Sequence, residues 1–159
     1  ARAMRSPSAG PDQRPAFRVL PISKLEDVDV MHVTDDSRYH IDVSVVSEHL
    51  PEQSQPGADR YAFSYTVTIQ NTGLLPARLL NRRWIVSDAH GKIQEVRGKG
   101  VVGEQPYLKP GESYRYTSGT VIQTPVGSME GSYEMEADDG TRFEAAIPAF
   151  SLATPTSLH

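Results

Sequence analysis

The chain has 159 residues, 38% of them hydrophobic, with no cysteine and a formal net charge of −4. That length supports one domain with a full core and not comfortably two, and the missing cysteines exclude disulfides, thiolate zinc sites and a cysteine nucleophile while being compatible with a reducing compartment. The acidic balance argues against nucleic-acid binding by phosphate neutralisation, and no apolar run reaches the roughly 20 residues that a membrane span needs.

The opening stretch, ARAMRSPSAGPDQRPAFRVLP, is rich in Arg, Pro, Ser and Ala and has no sustained hydrophobic period. A segment of this kind cannot bury enough apolar surface to offset the entropy of ordering it. It also lacks the apolar stretch of a signal peptide. Residues 1–36 are therefore expected to form a disordered or non-native extension, with Met31 placed to be the natural start. Residues 37–153 are expected to form the folded domain and 154–159 a short tail.

From Arg38 onward the pattern is that of strands. In YHIDVSVV, Ile41, Val43 and Val45 alternate with Asp42 and Ser44, which predicts a half-buried strand. EHLPEQSQPGAD is a polar loop. YAFSYTVTIQ then sets Tyr61, Phe63, Tyr65, Val67 and Ile69 on one face, the clearest strand in the chain, and NTG at 71–73 ends it with turn chemistry. ARLLNRRWIVSD predicts a strand with Leu80, Trp84 and Val86 on one side. DAHGK signals a hairpin turn and KIQEVRG resumes a strand. Pro110-Gly111 predicts a turn before a strand through Tyr114 and Tyr116. GSYEMEADDGTRFEAAIP predicts a hairpin closed by a two-residue Asp139-Gly140 turn. No segment keeps a helical period over three turns. Seven or eight short strands with this turn spacing predict an all-β fold, best an antiparallel two-sheet sandwich.

The run GKGVVG places Gly98, Gly100 and Gly103 at the spacing of a dinucleotide-binding turn. Such a turn needs a helix to follow, so that its N-terminal amides meet the pyrophosphate. Pro106 and Pro110 prevent a helix from running on, and no βαβ unit surrounds the motif. Gly98 and Gly100, two apart in a strand, are expected to bare the backbone on one face. An aromatic ring would cover that backbone, or the glycines would permit a bulge or sharp bend. The competing reading is an anion site, because glycine-rich turns form nests without a helix. Gly98, Lys99, Gly100 and Gly103 would then hold a phosphate, with Arg97, Arg82 or Arg83 adding charge.

Other constellations are weaker. His32, His40, His49, His90 and His159 form no zinc spacing, and no serine sits in a G-x-S-x-G elbow. Glu134, Glu136, Asp138, Asp139 and Glu144 gather around the last hairpin, where a solvated acidic face is the simpler reading than a cation site. Trp84 lies opposite Arg83 on strand alternation and reads as core, not as part of a basic-aromatic nucleic-acid patch. No catalytic residue, metal site or cofactor is expected.

RLLNRRWIVSDAHGKIQEVRGKGVVGEQPYLKPGESYRYTSG, followed by TPVGSMEGSYEMEADDGTRF and IPAFSL, resembles the ApaG family. The match runs from about Tyr39 to Leu152 and includes Gly98, Gly100, Gly103, the GEQP run, Pro110-Gly111, Tyr116 to Gly119, Met129, Gly131, Tyr133 and Asp139-Gly140. The resemblance implies a fibronectin type III-like or immunoglobulin-like β-sandwich in a bacterial cytoplasmic protein. It further implies a link to cobalt and magnesium resistance, and a binding module that contacts a protein partner instead of an enzyme. A homo-oligomer and a phosphate-containing ligand at Gly98–Gly103 are the further expectations.

Overall fold

A computed structural model describes residues 36–155. Most of the predicted N-terminal extension and the last residues of the predicted tail lie outside that range. Eight strands follow in order: β1 (Ile41–His49), β2 (Tyr61–Asn71), β3 (Ala77–Asp88), β4 (Ile93–Lys99), β5 (Tyr107–Leu108), β6 (Ser113–Ile122), β7 (Val126–Ala137) and β8 (Arg142–Ala153). Among the described residues there is no α-helix, only two 3-10 turns at Pro51–Gln53 and Pro56–Ala58.

The strands form two antiparallel sheets that do not close into a barrel. The smaller has the order β1-β2-β6. The larger has the order β4-β3-β7-β8, with β5 pairing to β3 beyond the end of β4. This is the antiparallel two-sheet sandwich that the strand count predicted, and it is consistent with the fibronectin type III-like fold that the resemblance implied. One flank is closed where the edges β1 and β8 approach, and Ser47 Oγ donates to Ser151 O at 2.8 Å.

Alternation in β2 sends Phe63, Tyr65, Val67 and Ile69 inward, all buried, to meet Leu79, Trp84, Val86, Tyr133, Met135 and Ile147 of the larger sheet. Trp84 is the centre. Its ring lies 5.2 Å from Tyr65, 5.9 Å from Phe150 and 6.5 Å from Tyr133, mostly edge to face. Full burial of each large apolar side chain here is worth about 1.5–3 kcal/mol.

Two predictions of local pattern are corrected. The buried residue early in β3 is Leu79, not Leu80. The register against β7 passes from Leu79↔Met135 to Asn81↔Glu134, so Leu80 is the extra residue of a β-bulge. The bulge changes the parity of the strand, so Leu79 before it and Trp84 after it both face the core. The β7–β8 connection is a three-residue loop, not two. Ala137 N donates to Thr141 O and Gly140 N to Ala137 O, with Gly140 at φ 86°. That is the type I turn plus left-handed glycine of a G1 bulge.

Asn71 does more than end β2. Its buried Nδ2 donates to Leu75 O (2.9 Å) and Leu108 O (2.8 Å), and its Oδ1 accepts from Gly73 N (2.8 Å). One side chain thus ties the turn into β3 to the short strand β5.

Candidate functional site

The glycine run lies where β4 ends at an open edge of the larger sheet. Gly98 is in β4 opposite Arg82, and Gly100 has already left the strand. Gly100 has φ 63°, a left-handed backbone. The two glycines therefore do not bare one face together. Gly100 serves a sharp bend, and a Cβ there would stand 2.2 Å from Glu104 O.

The bend opens a tight hairpin. Val101 and Glu104 exchange backbone hydrogen bonds at 2.8 Å, and Val102 (φ 40°) and Gly103 (φ 83°) occupy its tip. Two central residues with positive φ define a type I′ turn. A β-branched residue pays steric strain in that conformation, yet Val102 holds it at the tip with 55% of its surface exposed. Val101 points the other way and is fully buried. The chain then returns through Pro106, whose carbonyl accepts from Leu79 N, and pairs as β5 with the start of β3.

The side chain that covers Gly98 is a guanidinium, not an aromatic ring. A Cβ at Gly98 would meet Arg82 Nη2 at 2.5 Å and Cζ at 2.6 Å. Seated over the bare backbone, Arg82 Nη1 donates to Lys99 O (3.1 Å) and Gly100 O (2.9 Å). Sequence reasoning named Arg82 only as a possible charge donor. Arg82 and Trp84 are two apart in one strand, so alternation puts Arg82 on the inner face, but the seat over Gly98 on the neighbouring strand follows only from the pairing Arg82↔Gly98. Of the loop's amides, those of Gly100, Val101 and Glu104 are already bonded, to Leu80 O, Glu104 O and Val101 O. Lys99 is exposed and has no ion-pair partner among the described residues.

The outer face of the same sheet carries a groove of about 570 Å³ bordered by Arg83, Arg97, Ser132, Glu134, Arg142 and Glu144. Glu95 Oε2 lies 2.7 Å from both Arg83 Nε and Arg97 Nη2, and hydrogen bonding from Arg83, reinforced by Arg97, holds its carboxyl below the usual range. Arg142 faces Glu134 at 3.5 Å and Glu136 at 3.6 Å. The three guanidinium groups are thus each matched by carboxylates.

β4 is itself the most open element. Gly100 N donates to Leu80 O and Asp88 N to Lys92 O. With the register Asn81↔Lys99 through Ser87↔Ile93, alternation of an antiparallel ladder fixes the rest. Gln94, Val96 and Gly98 bond to β3, while Ile93, Glu95, Arg97 and Lys99 turn their N–H and C=O groups outward. Ile93 (69%) and Val96 (38%) are exposed apolar residues on this strand.

The acidic hairpin disperses its carboxylates. Glu134 and Glu136 face Arg142, Tyr107 Oη donates to Asp138, and Tyr39 Oη donates to Asp139 at 2.6 Å. Among the described residues no group of three or more His, Asp or Glu side chains converges to hold a metal ion. His40 pairs with Thr72 and His49 packs on Phe63, while His32 and His159 lie outside the described residues.

The family model described as the ApaG domain matches residues 51–137. Protein ApaG of Pseudomonas syringae pv. tomato is 59% identical over 124 residues, covering 78% of this chain and 98% of that protein. Protein ApaG of Aromatoleum aromaticum is 52% identical over 127 residues, covering 80% of this chain and all of that one. The crystal structure of the ApaA protein from Bordetella pertussis superposes with a TM-score of 0.73 at 48% identity, covering 75% of this chain and 97% of that chain. With the sandwich, its strand order and its glycine hairpin in place, these matches make the chain a member of the ApaG family.

Proposed function

We propose that this chain is a non-catalytic β-sandwich module that works by protein–protein contact through the β4 edge. The observation that carries the reading is the outward row of backbone groups at Ile93, Glu95 and Arg97 that no strand pairs among the described residues, flanked by exposed Ile93 and Val96. An edge of this kind is a template for strand addition, in which main-chain bonds supply affinity and alternate side chains supply specificity. A role in cobalt and magnesium resistance in the cytoplasm fits such a module if it acts on a protein of that system and not on the ion. Calorimetry with cobalt and magnesium is expected to show no heat, and clear heat would transfer the reading to the acidic hairpin. The main test is capture of partners at physiological salt. Arg97→Pro removes an outward N–H without removing a ladder bond, so it is expected to abolish capture, while Arg97→Ala retains it. Equal capture by the Pro variant, or none by the native chain, refutes the proposal.

A second reading is a phosphate-containing ligand at Gly98–Gly103. It is favoured by Lys99 beside Gly98, which is exposed and has no ion-pair partner among the described residues. An NMR titration with pyrophosphate and ATP tests it. Shifts at the Gly98, Gly100 and Gly103 amides support it, and flat shifts at millimolar ligand remove it.

A further inference from the structure

We infer that the partner β4 fits is a second copy of this chain, added antiparallel across a two-fold axis at Val96, so that the larger sheets of two copies become one continuous sheet. The inference rests on the edge reading above and names its occupant. An isologous strand pair must place each residue opposite a fixed counterpart, with the two numbers summing to a constant. Ladder geometry requires the outward-facing residues Ile93, Glu95, Arg97 and Lys99 to pair among themselves. Centring the axis on Glu95 sets Glu95 against Glu95, and centring it on Arg97 sets Arg97 against Arg97. Moving it one step further, to Gly98, sets Arg97 against Lys99. Centring it on Val96 sets Glu95 of each copy against Arg97 of the other and Ile93 against Lys99. This register pairs opposite charges, avoids every like-charge pair and uses the whole of Ile93–Lys99. Like charges directly opposite are destabilising and opposite ones stabilising; an axis at Gln94 also avoids like charges but pairs no opposite ones, so the charges on β4 favour the Val96 register.

The inner face agrees. Val96 would meet Val96 of the second copy in a non-hydrogen-bonded pair, where side chains approach most closely, and Val96 is the exposed apolar residue on that face. Gln94 would lie against Gly98, which has no side chain to obstruct it. The inner face of β4 carries no charge, proline or bulge that would block such pairing, whereas β8 has a register shift at Pro148-Ala149 and β1 lies against β8. One strand pair buries little area, so the association is weak and concentration-dependent.

The test uses the full chain. Its weight-average mass is expected to rise from 17.5 kDa toward twice that value with concentration. Because the chain has no cysteine, Val96→Cys supplies a single thiol. Across a non-hydrogen-bonded pair the Cα atoms stand about 4.5 Å apart, within disulfide range. Val96→Cys is expected to cross-link far faster than Val121→Cys on exposed β6. Glu95→Arg alone should lower the association constant about tenfold, since two symmetry-related pairs turn repulsive, and Glu95→Arg with Arg97→Glu should restore it. A mass that stays at 17.5 kDa at every concentration, or cross-linking no faster at Val96 than at Val121, overturns self-pairing. Either result leaves the Arg97→Pro capture assay to decide the edge reading separately.

Discussion

The three glycines of the motif carry three different physical demands, and alanine substitution separates them. At Gly100 the backbone is left-handed, φ 63°, and a Cβ would stand 2.2 Å from a backbone oxygen, Glu104 O. The left-handed conformation costs an L-residue about 1–2 kcal/mol. The clash adds about 1–3 kcal/mol, because the hairpin can yield only by drawing Val101 out of the core. Gly100→Ala is thus expected to lose about 2–5 kcal/mol. Gly103, at φ 83°, faces open space, so Gly103→Ala should lose only the conformational part, about 1–2 kcal/mol. Gly98 has no left-handed backbone, and its Cβ would collide with the end of a flexible side chain, Arg82. Gly98→Ala should unseat Arg82 from Lys99 O and Gly100 O, at about 1–2 kcal/mol for partly exposed charge-assisted bonds. In an Arg82→Ala background the same change should be neutral or slightly stabilising, because alanine restricts the unfolded chain. Urea unfolding with unchanged m-values measures the five variants against the native chain. Equal losses at the three glycines, or a Gly98→Ala loss that persists without Arg82, would refute the reasoning.

The remaining predictions concern the core. Trp84→Ala should lose about 3–5 kcal/mol, since its 3% exposed ring packs on Tyr65, Phe150 and Tyr133; a thermal midpoint close to the native one would contradict its central place. Asn71→Asp keeps the acceptor for Gly73 N but loses both donations and sets a carboxylate against two carbonyls. It should cost more than 2 kcal/mol, about 1–3 for each stranded partner, and partial rescue at low pH is the expected signature. Tyr116 and Tyr133 share a buried hydroxyl hydrogen bond, and burial pushes the Tyr116 hydroxyl up to about 12 and Tyr133 further in the same direction. Both folded values lie above the unfolded value of about 10, so their stabilisation is complete below that pH and is lost as pH rises through the folded values. The Tyr116→Phe, Tyr133→Phe double variant should therefore show a flatter alkaline limb in urea midpoint against pH.

Much of the fold is legible in the alternation of apolar residues, because a strand buried on one face writes its register into every second position. Tyr61 to Ile69 show it without interruption, and β1 nearly as well. The legibility fails where geometry breaks the period. Nothing in ARLLNRRW marks Leu80 as a bulge, since Leu79 and Leu80 are equally apolar and either satisfies the pattern. The last strand runs past Pro148 to Ala153, absorbing the proline at a register shift that alternation does not report. The rejection of a dinucleotide turn needed only Pro106 and Pro110. The cover over Gly98 was not legible, because it depends on a long side chain crossing between strands, which no periodicity reports.

The bulge and the glycine hairpin form one device, and it explains why the β4 edge exists as it does. Leu80 O accepts from Gly100 N at 2.8 Å and from Gln105 Nε2 at 3.0 Å, so the two arms of the hairpin both fasten to the bulged residue. Without the extra residue, the parity set by Leu79 would turn Arg82 and Trp84 outward. With it, Trp84 enters the core and Arg82 falls on the inner face over Gly98. Arg82 then holds the carbonyls of Lys99 and Gly100 at the point where the chain must leave β4. The departure lets β5 take the remaining length of β3, at Ala77 and Arg78, and among the described residues it leaves β4 paired on one side only. The same geometry that buries Trp84 therefore presents Glu95, Val96 and Arg97 at an open edge. A substitution that removes the bulge should disturb core packing and edge association together, whereas Arg97→Pro should disturb the edge alone.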